Sequence, residues 1–534
     1  MGSESAVEEY EVIIIGAGVT GIYQTYRAVK AGFSVKTFEA GTNVGGTWYW
    51  NRYPGARFDS ESYIYGYTFS EELQQEWDWK EHYSGQPETE KYLNFVTDKF
   101  DLRRHMQFNT RIEKSEYNEE ENRWTVTTED GKTAKAQFLV ASVGILSQPH
   151  MPAIEGIESF KGDYWHTSHW PKAEQDFSDK RVGVIGCGAT AIQLFPEVAK
   201  TAKHLTMFQR SANWACPLRN SEISDEEQTD IKSRYPEIKA KMDKHFAAFM
   251  YEPDPRSALD VSPEEREAFW EEIWAAPGFK KWFGNFHDIF TNEEAANLMG
   301  EFAKKKIRER VNDPEVAELL CPNDHPFGTK RLPLETGYYE AYNQPNVKLK
   351  DVKSDPIEEI TPTGLKTEKE EFELDVIIYA TGFDAISGSL TRMDIRGKNG
   401  ATIREAWAEG PRSVMGIAVP EFPNFFITNG AVFCNTPTCC ALQVDFAADC
   451  MEYLREKGHK NIEATSKAEQ DWVEHCAAAT QGFLFEKQEV NSWFMGTNIP
   501  GKTRVFLLYA GGAPAYRESL SESAASGYDG FEIE

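Results

Sequence analysis

Glu11-Val12-Ile13-Ile14-Ile15-Gly16-Ala17-Gly18-Val19-Thr20-Gly21 is the stretch on which the fold turns. The run ending at Ile15 is mostly β-branched and does not alternate, as in a parallel strand buried on both faces. Glycines at 16, 18 and 21 follow at once, then a helical stretch ending near Gly32 and a second strand from Ser34 to Glu39. Strand, glycine turn, helix and strand together make a β-α-β nucleotide-binding unit, which the glycine spacing alone would not. Gly16 permits the tight turn and Gly18 lets backbone approach a pyrophosphate. Gly21 lets helix and strand pack closely, and the helix N-terminus offers partial positive charge to phosphates.

The same grammar returns further along. Arg181-Val182-Gly183-Val184-Ile185 leads into Gly186-x-Gly188-x-x-Ala191, a helix to Lys203 and the strand Leu205-Thr206-Met207-Phe208. A third buried run, Asp375-Val376-Ile377-Ile378-Tyr379-Ala380, is closed by Thr381-Gly382 and reads as a return strand to the first unit. From 219 to 329 the chain changes character: Glu, Lys, Ala and Trp dominate, glycine is sparse, and Ser262-Pro263 reads as an N-cap with proline in the first helical position. This stretch is expected to be a helical insertion in the second unit, its charge runs forming solvated faces. The fold expected is α/β, with two Rossmann-like nucleotide-binding domains and a helical insertion. The division expected is 1–147 and 375–534 for the first domain, 148–218 and 330–374 for the second, and 219–329 for the insertion.

The residues that end the second strand of each unit separate the nucleotides. Glu39 accepts hydrogen bonds from a ribose diol and repels a 2′-phosphate, so the first unit suits FAD or NAD. The matching strand of the second unit ends in Gln209-Arg210-Ser211. A guanidinium and a hydroxyl there suit a 2′-phosphate, and Lys330 adds to them. The first site is therefore expected to hold FAD and the second NADPH.

Bulk composition narrows the partners. The 534 residues carry 57 Lys+Arg against 85 Asp+Glu, a formal net charge of −28. So acidic a surface disfavours nucleic acid and anionic membrane. No stretch approaches the roughly 20 apolar residues of a membrane helix, and the acidic MGSESAVEEY start is unlike a signal peptide, so a cytoplasmic location is expected. The 8 cysteines show no Cys-x-x-Cys and no zinc-finger spacing with His. They are expected to be reduced thiols, with no metal site.

Two further stretches carry a family likeness. Phe160-Lys161-Gly162-Asp163-Tyr164-Trp165-His166-Thr167-Ser168-His169-Trp170-Pro171 fits Phe-x-Gly-x-x-x-His-x-x-x-Trp-Pro, the fingerprint of Baeyer–Villiger monooxygenases. Gly45-Gly46-Thr47-Trp48 with Tyr53-Pro54-Gly55 and Asp59 fits a second one. Over nearly its whole length the chain resembles type I ketone monooxygenases. Departures are few: Ala191 stands at the third glycine of the second motif, and Gly430-Ala431-Val432-Phe433-Cys434-Asn435 is unlike the better-known members.

The resemblance implies roles. Arg331, in Lys330-Arg331-Leu332-Pro333, matches the catalytic arginine, with Asp59 as the acid that orients it. Trp493 matches a tryptophan that contacts the nicotinamide cofactor, and Thr381-Gly382 brings backbone near the flavin. Thr20, Gly46, Thr47, Trp48, Arg57, Tyr65, Ile112 and Thr190 complete the cofactor-binding set, which also includes Asp59 and Arg331. Phe160, Gly162, His166, Trp170 and Pro171 are expected in a hinge or structural role. The reaction implied converts a ketone and molecular oxygen into an ester or lactone through a flavin peroxide, which must stay anionic and shielded from water. An N-hydroxylating or sulfoxidising flavin monooxygenase is the nearest rival. A disulfide reductase would need a cysteine pair early in the first domain, where no Cys precedes Cys187. A non-catalytic flavin-binding protein would need no second, phosphate-selective site.

Overall fold

In the computed structural model, which describes residues 7–534, the two β-α-β units organise two separate sheets. The strand Glu8–Ile15 lies between Val35–Phe38 and Thr133–Ala141, parallel to both, and its Val12, Ile13 and Ile14 are fully buried. The antiparallel strands Ile112–Asn118 and Arg123–Thr128 extend this eight-stranded sheet on one side, and Met106–Gln107 extends it on the other. The helix Val19–Lys30 starts at Gly18 and packs on the long helix Thr436–Lys457, where Arg27 pairs with Asp445 and Asp449. The later segment thus covers the first domain's face as well as its edge.

The second sheet is five-stranded and wholly parallel, in the order Val347–Asp351, His204–Gln209, Arg181–Ile185, Val376–Tyr379, Asp163–His166. Here the structure corrects one expectation. The run Asp375–Ala380 does not return to the first sheet. It pairs with the strand that precedes the second glycine turn, Val376 opposite Val182 and Tyr379 opposite Ile185. Arg181 fastens the start of this ladder by gripping Asp375 through Nε at 3.0 Å and Nη2 at 2.8 Å. A buried apolar run looks the same in either sheet, so its composition could not decide between them. The strand that does return to the first sheet is Phe425–Ile427, parallel to Thr133–Ala141, with Asp394–Arg396 returning to Ile112–Asn118 at the far edge.

Residues 219–329 are helical, as expected: Asp225–Ser233, Tyr235–Lys244, Pro263–Ala275, Glu293–Arg310 and Pro314–Leu320 are the longer helices. Ser262 caps Pro263–Ala275 through a complete capping box with Glu265. Their apolar faces share one core with Ile64 and Tyr83 of the first domain and with Phe433, Phe485 and Phe494 near the C-terminus. The insertion is therefore packed against the first domain as well as joined to the second.

The cysteines give a second correction. Cys434 and Cys439 stand at the N-terminal end of the helix Thr436–Lys457 as a disulfide, whereas the other 6 are free thiols. Five residues of separation let the helix start bring the two Cα atoms to 6.5 Å, within the usual span of such a bridge.

Candidate functional site

Both glycine turns open into one cavity of about 1250 Å³ between the two sheets and the insertion. On its first-domain side it is lined by Gly16, Gly18, Thr20, Glu39, Gly46, Thr47, Trp48, Arg57, Asp59, Tyr65 and Ile112. From the other side come Gly186, Gly188, Thr190, Arg210, Ser211, Lys330 and Arg331, with Thr381, Gly382 and Trp493 closing the space between. Residues spread over more than four hundred positions thus meet at one site.

Two of the expected contact residues serve the turns instead. A Cβ on Gly21 would run into Gly16 O, so its missing side chain allows helix to pack on strand. Ala191 is fully buried in the core under the second sheet, where a methyl fits. Neither lines the cavity. The fingerprint residues Phe160, Gly162, His166, Trp170 and Pro171 do not line it either, although Ser168 and His169 do.

The first-domain floor is shaped for a pyrophosphate. A Cβ on Gly18 would come 3.3 Å from the Cα of Gly46, and one on Gly46, at φ +53°, 2.7 Å from the Cα of Gly18. The two motifs therefore touch glycine to glycine, and backbone is left exposed at a helix N-terminus. Glu39, 5% exposed, accepts from Ala17 N at 2.8 Å and Gly41 N at 2.6 Å. Burial raises its pKa, while these two N–H groups and the Arg111 guanidinium pull the other way. Each oxygen keeps a lone pair for a ribose hydroxyl. Trp48 donates to the Tyr65 hydroxyl at 2.8 Å, and Tyr65 stacks on Phe58 at 4.2 Å, so this wall is rigid.

On the second-domain side a Cβ at Gly188 would meet no protein atom within 4 Å, leaving room for a phosphate at the start of the helix Ala189–Ala199. Arg210 is exposed, and Lys330 is partly buried. Burial lowers the Lys330 pKa and neighbouring Arg210 adds to the lowering, against the pull of Asp324 and Cys187. Two cations that close together destabilise each other until an anion lies between them.

Arg331 and Asp59 form the charged centre. Arg331 Nη2 stands 2.7 Å from Asp59 Oδ2; Asp59 is 1% exposed at its side chain and Arg331 29%. Leu334 N, at 3.4 Å, also donates to Asp59 Oδ2, and Gln193 Nε2, at 3.5 Å, reaches Oδ1. Burial pushes the Asp59 carboxyl above its ordinary range, with Arg331 as the largest opposing influence. Gln193 also donates to Arg57 O and accepts from the Tyr53 hydroxyl, so the helix Ala189–Ala199 and the loop 53–59 hold the pair from two domains. Arg331 Nη1 and Asn429 Nδ2 are buried and have no protein partner among the described residues. Both residues line the cavity, and two donors in want of acceptors would suit the carbonyl groups of a bound flavin or substrate.

His166 acts one layer back. Its Nε2 lies 3.0 Å from Gly382 O and its Nδ1 accepts from Ser168 N at 3.2 Å, which sets the tautomer with the proton on Nε2. Burial lowers its pKa to about 4, so the ring stays neutral. The fingerprint histidine thus pins the Gly382 turn, at φ +80°, where the strand Val376–Tyr379 reaches the cavity. Trp170 packs on Trp165 and Phe177, and Gly162 leaves space that Asp375 O and the Phe160 ring take up.

The sequence reading missed the apolar wall. Phe249, Phe279, Trp282 and Phe283 of the insertion line the cavity with Phe433 and Phe494. The aromatic richness of 219–329 was visible, but helical periodicity alone does not say which face meets a ligand. Gln193, Asn429 and Arg111 belong to no local motif, and only the tertiary fold brings them in.

Comparison with known proteins agrees with this geometry. The family description "Flavin-binding monooxygenase-like" matches residues 9–248. The chain is 44% identical to 2-oxo-Delta(3)-4,5,5-trimethylcyclopentenylacetyl-CoA monooxygenase of Pseudomonas putida, covering 100% of both chains. It is 42% identical to cyclohexanone 1,2-monooxygenase of an Acinetobacter species, over 98% of this chain and 97% of that one. A crystal structure of OTEMO in complex with FAD and NADP superposes with a TM-score of 0.94 at 45% identity, covering 98% and 99% of the two chains. The chain belongs to the flavin-binding monooxygenases. Within them it is of the Baeyer–Villiger type, 41% identical to the Baeyer–Villiger monooxygenase of Pseudooceanicola batsensis over 97% of this chain and 95% of that one.

Proposed function

We propose that this protein uses NADPH and molecular oxygen to convert ketones into esters or lactones, with Arg331 and Asp59 as its charged working pair. The observation that carries this is the buried Asp59–Arg331 contact in a cavity one wall of which is aromatic, formed by Phe249, Phe279, Trp282, Phe283, Phe433 and Phe494. When bound and reduced by NADPH, FAD would supply the oxygen-activating chemistry; the chain supplies binding, orientation, charge and the exclusion of water. Gly16, Gly18, Thr20, Glu39, Gly46, Thr47, Trp48, Tyr65 and Ile112 hold FAD, with Thr381 and Gly382 bringing backbone to it. Gly186, Gly188, Thr190, Arg210, Ser211 and Lys330 hold NADPH, with Trp493 against the nicotinamide. Arg331 offers its unpartnered Nη1 to negative charge developing in the cavity. Asp59 keeps that guanidinium aimed, and Arg57 supports the loop that carries Asp59. The aromatic wall excludes water and receives the ketone's hydrocarbon.

The proposal extends to arrangement and setting. The FAD domain comprises 1–147 and about 380–534; the NADPH domain comprises 148–218 and 330–379, moved from its sequence-based limit because Val376–Tyr379 pairs there. Phe160, Gly162, His166, Trp170 and Pro171 couple the two, through His166 and Gly382. No described helix is long and apolar enough to cross a membrane; we place the enzyme in the cytoplasm, acting on small molecules. The test is incubation with NADPH, ¹⁸O₂ and a panel of cyclic, linear and aryl ketones. The proposal expects an ester carrying one ¹⁸O per NADPH consumed. Oxidation of amines or sulfides alone, with no ester from any ketone, would point to the N- or S-oxygenating reading instead.

A further inference from the structure

Two residues beyond Asp59 stands a second buried carboxylate that the proposed reaction does not use. Glu61 is 6% exposed and lies where the first domain meets the insertion. Its Oε1 accepts from the Tyr251 hydroxyl in a short hydrogen bond and from the Tyr83 hydroxyl at 3.3 Å. Its Oε2 is buried without a partner among the described residues. A carboxylate so placed is costly to bury, and two phenols offset only part of that cost.

What this contact holds is visible one residue further. The Tyr251 oxygen that donates to Glu61 also accepts from Phe279 N at 3.1 Å. Gly278, at φ +62°, is wedged beneath both phenols, so that a Cβ there would run into each hydroxyl, and its own N–H reaches Leu218 O at 3.0 Å. Lys281, fully buried, ties back to the carbonyls of Ala276 and Gly278. The turn 276–279 is thus held through Ala276 O, Gly278 N and O and Phe279 N, and the short helix Lys280–Phe283 springs directly from it. Phe279, Trp282 and Phe283 line the cavity, and Phe249 stacks on Phe283 at 5.0 Å and meets Phe279 edge-on at 5.5 Å.

We propose that Glu61, acting through Tyr251, is a positioning residue that fixes the Phe279–Phe283 wall and so sets which side of the ketone is presented for oxygen insertion. The chain of contact runs Glu61 carboxylate, Tyr251 hydroxyl, Phe279 amide, aromatic wall. Tyr83 meets the same carboxylate but touches no part of the wall's backbone by a hydrogen bond, and serves as the internal comparison. Loss of the Tyr251 hydroxyl leaves the Phe279 N–H without its acceptor and frees the turn to shift. A shift of the wall alters how a ketone lies in the cavity while leaving both nucleotide sites in place. The inference rests on ketone oxygenation as proposed above.

Tyr251→Phe, Glu61→Gln, Tyr83→Phe and the double variant Tyr251→Phe/Glu61→Gln test it in the FAD-loaded enzyme. Each is assayed for ketone KM, for the isomer ratio of ester from a racemic or unsymmetrical cyclic ketone, and for NADPH-driven flavin reduction without oxygen. Tyr251→Phe is expected to raise ketone KM about two- to tenfold, the range of one lost hydrogen bond, and to change the isomer ratio. Flavin reduction should stay near the wild-type rate. Tyr83→Phe should change the ratio less, and the double variant should go no further than Tyr251→Phe, since both act on one chain of contacts. Glu61→Gln keeps one acceptor oxygen but loses the charge that Tyr251 donates to, and should shift ketone KM and the isomer ratio in the same direction as Tyr251→Phe, though less far. An unchanged ratio and KM in Tyr251→Phe, a reduction rate that falls in step with KM, or additive effects in the double variant would each overturn the inference while ester formation stands. Absence of ester in the wild type would instead remove the function on which it rests.

Discussion

Asp59→Asn probes the charged centre with the least disturbance of shape. Asparagine keeps the volume and one acceptor oxygen, so of Leu334 N–H and Gln193 Nε2, which donate to Oδ2 and Oδ1 at 3.4 and 3.5 Å, one keeps its acceptor. What is lost is the charge facing Arg331 at 2.7 Å. A hydrogen bond to a charged group contributes about 1.5–3 kcal/mol. Arg331 is 29% exposed and can turn to water when released, so the lower half of that range applies. That corresponds to a fall of about ten- to fortyfold in the rate of ester formation. Stability should change little, because removing a buried charge relieves a desolvation cost. The pH profile gives an independent check. Burial holds the Asp59 pKa above the ordinary carboxylate range. Protonation on acidification then does to the wild type what the substitution does outright, so ester formation should fall as pH drops, and Asp59→Asn should flatten that limb. Product chromatography across pH, paired with stopped-flow absorbance of flavin reduction, measures both. Ester formation by Asp59→Asn at the wild-type rate would refute the orienting role.

The remaining expectations are briefer. Arg210→Ala should raise the KM for NADPH by about tenfold or more through loss of a charge-assisted contact, with Lys330 limiting the loss and NADH little affected; equal losses with both coenzymes would discard the assignment. Gly18→Val should yield colourless protein, since a Cβ already 3.3 Å from Gly46 Cα leaves no room for larger branches and a pyrophosphate together; full flavin content would show the site misplaced. His166 should make stability pH-dependent. Its folded pKa of about 4 lies below the unfolded value near 6.5, so the unfolded chain binds more protons between them and stability falls as pH drops through that window. The whole gap amounts to about 3 kcal/mol at most, and His166→Asn should remove that share of the slope in urea melts at pH 4.5 and 7.

Much of the architecture was legible because both units announce themselves locally. A buried strand, a glycine turn and the residue ending the next strand lie within thirty positions of each other, and Glu39 and Arg210 sit where that grammar puts them. What sequence could not settle was long-range. The Val376–Tyr379 run carries no mark of which sheet it joins; the choice lies in its ladder with Arg181–Ile185 and in the Arg181–Asp375 clamp. The true return strand, Phe425–Ile427, is three residues long and too short for periodicity to reveal. The aromatic wall failed to appear for a related reason. Phe279, Trp282 and Phe283 face a cavity bounded by another domain, and a helix's own pattern does not distinguish a ligand-facing stripe from a core-facing one. Glu61, two residues from Asp59, passed unnoticed because its partners Tyr83 and Tyr251 lie 22 and 190 residues away.

Arg331→Ala tests the central claim most directly, because it separates reduction from oxygenation in one protein. The guanidinium whose Nη1 waits unpartnered beside the cavity is assigned to the stage at which negative charge develops, after hydride has arrived. In anaerobic stopped-flow the variant should still bind both nucleotides and still reduce its flavin, although more slowly. With oxygen and ketone present it should form no ester, and Arg331→Lys, which keeps the charge without the planar fork held by Asp59, should fall between. Ester formation by Arg331→Ala at near wild-type rates would contradict the account.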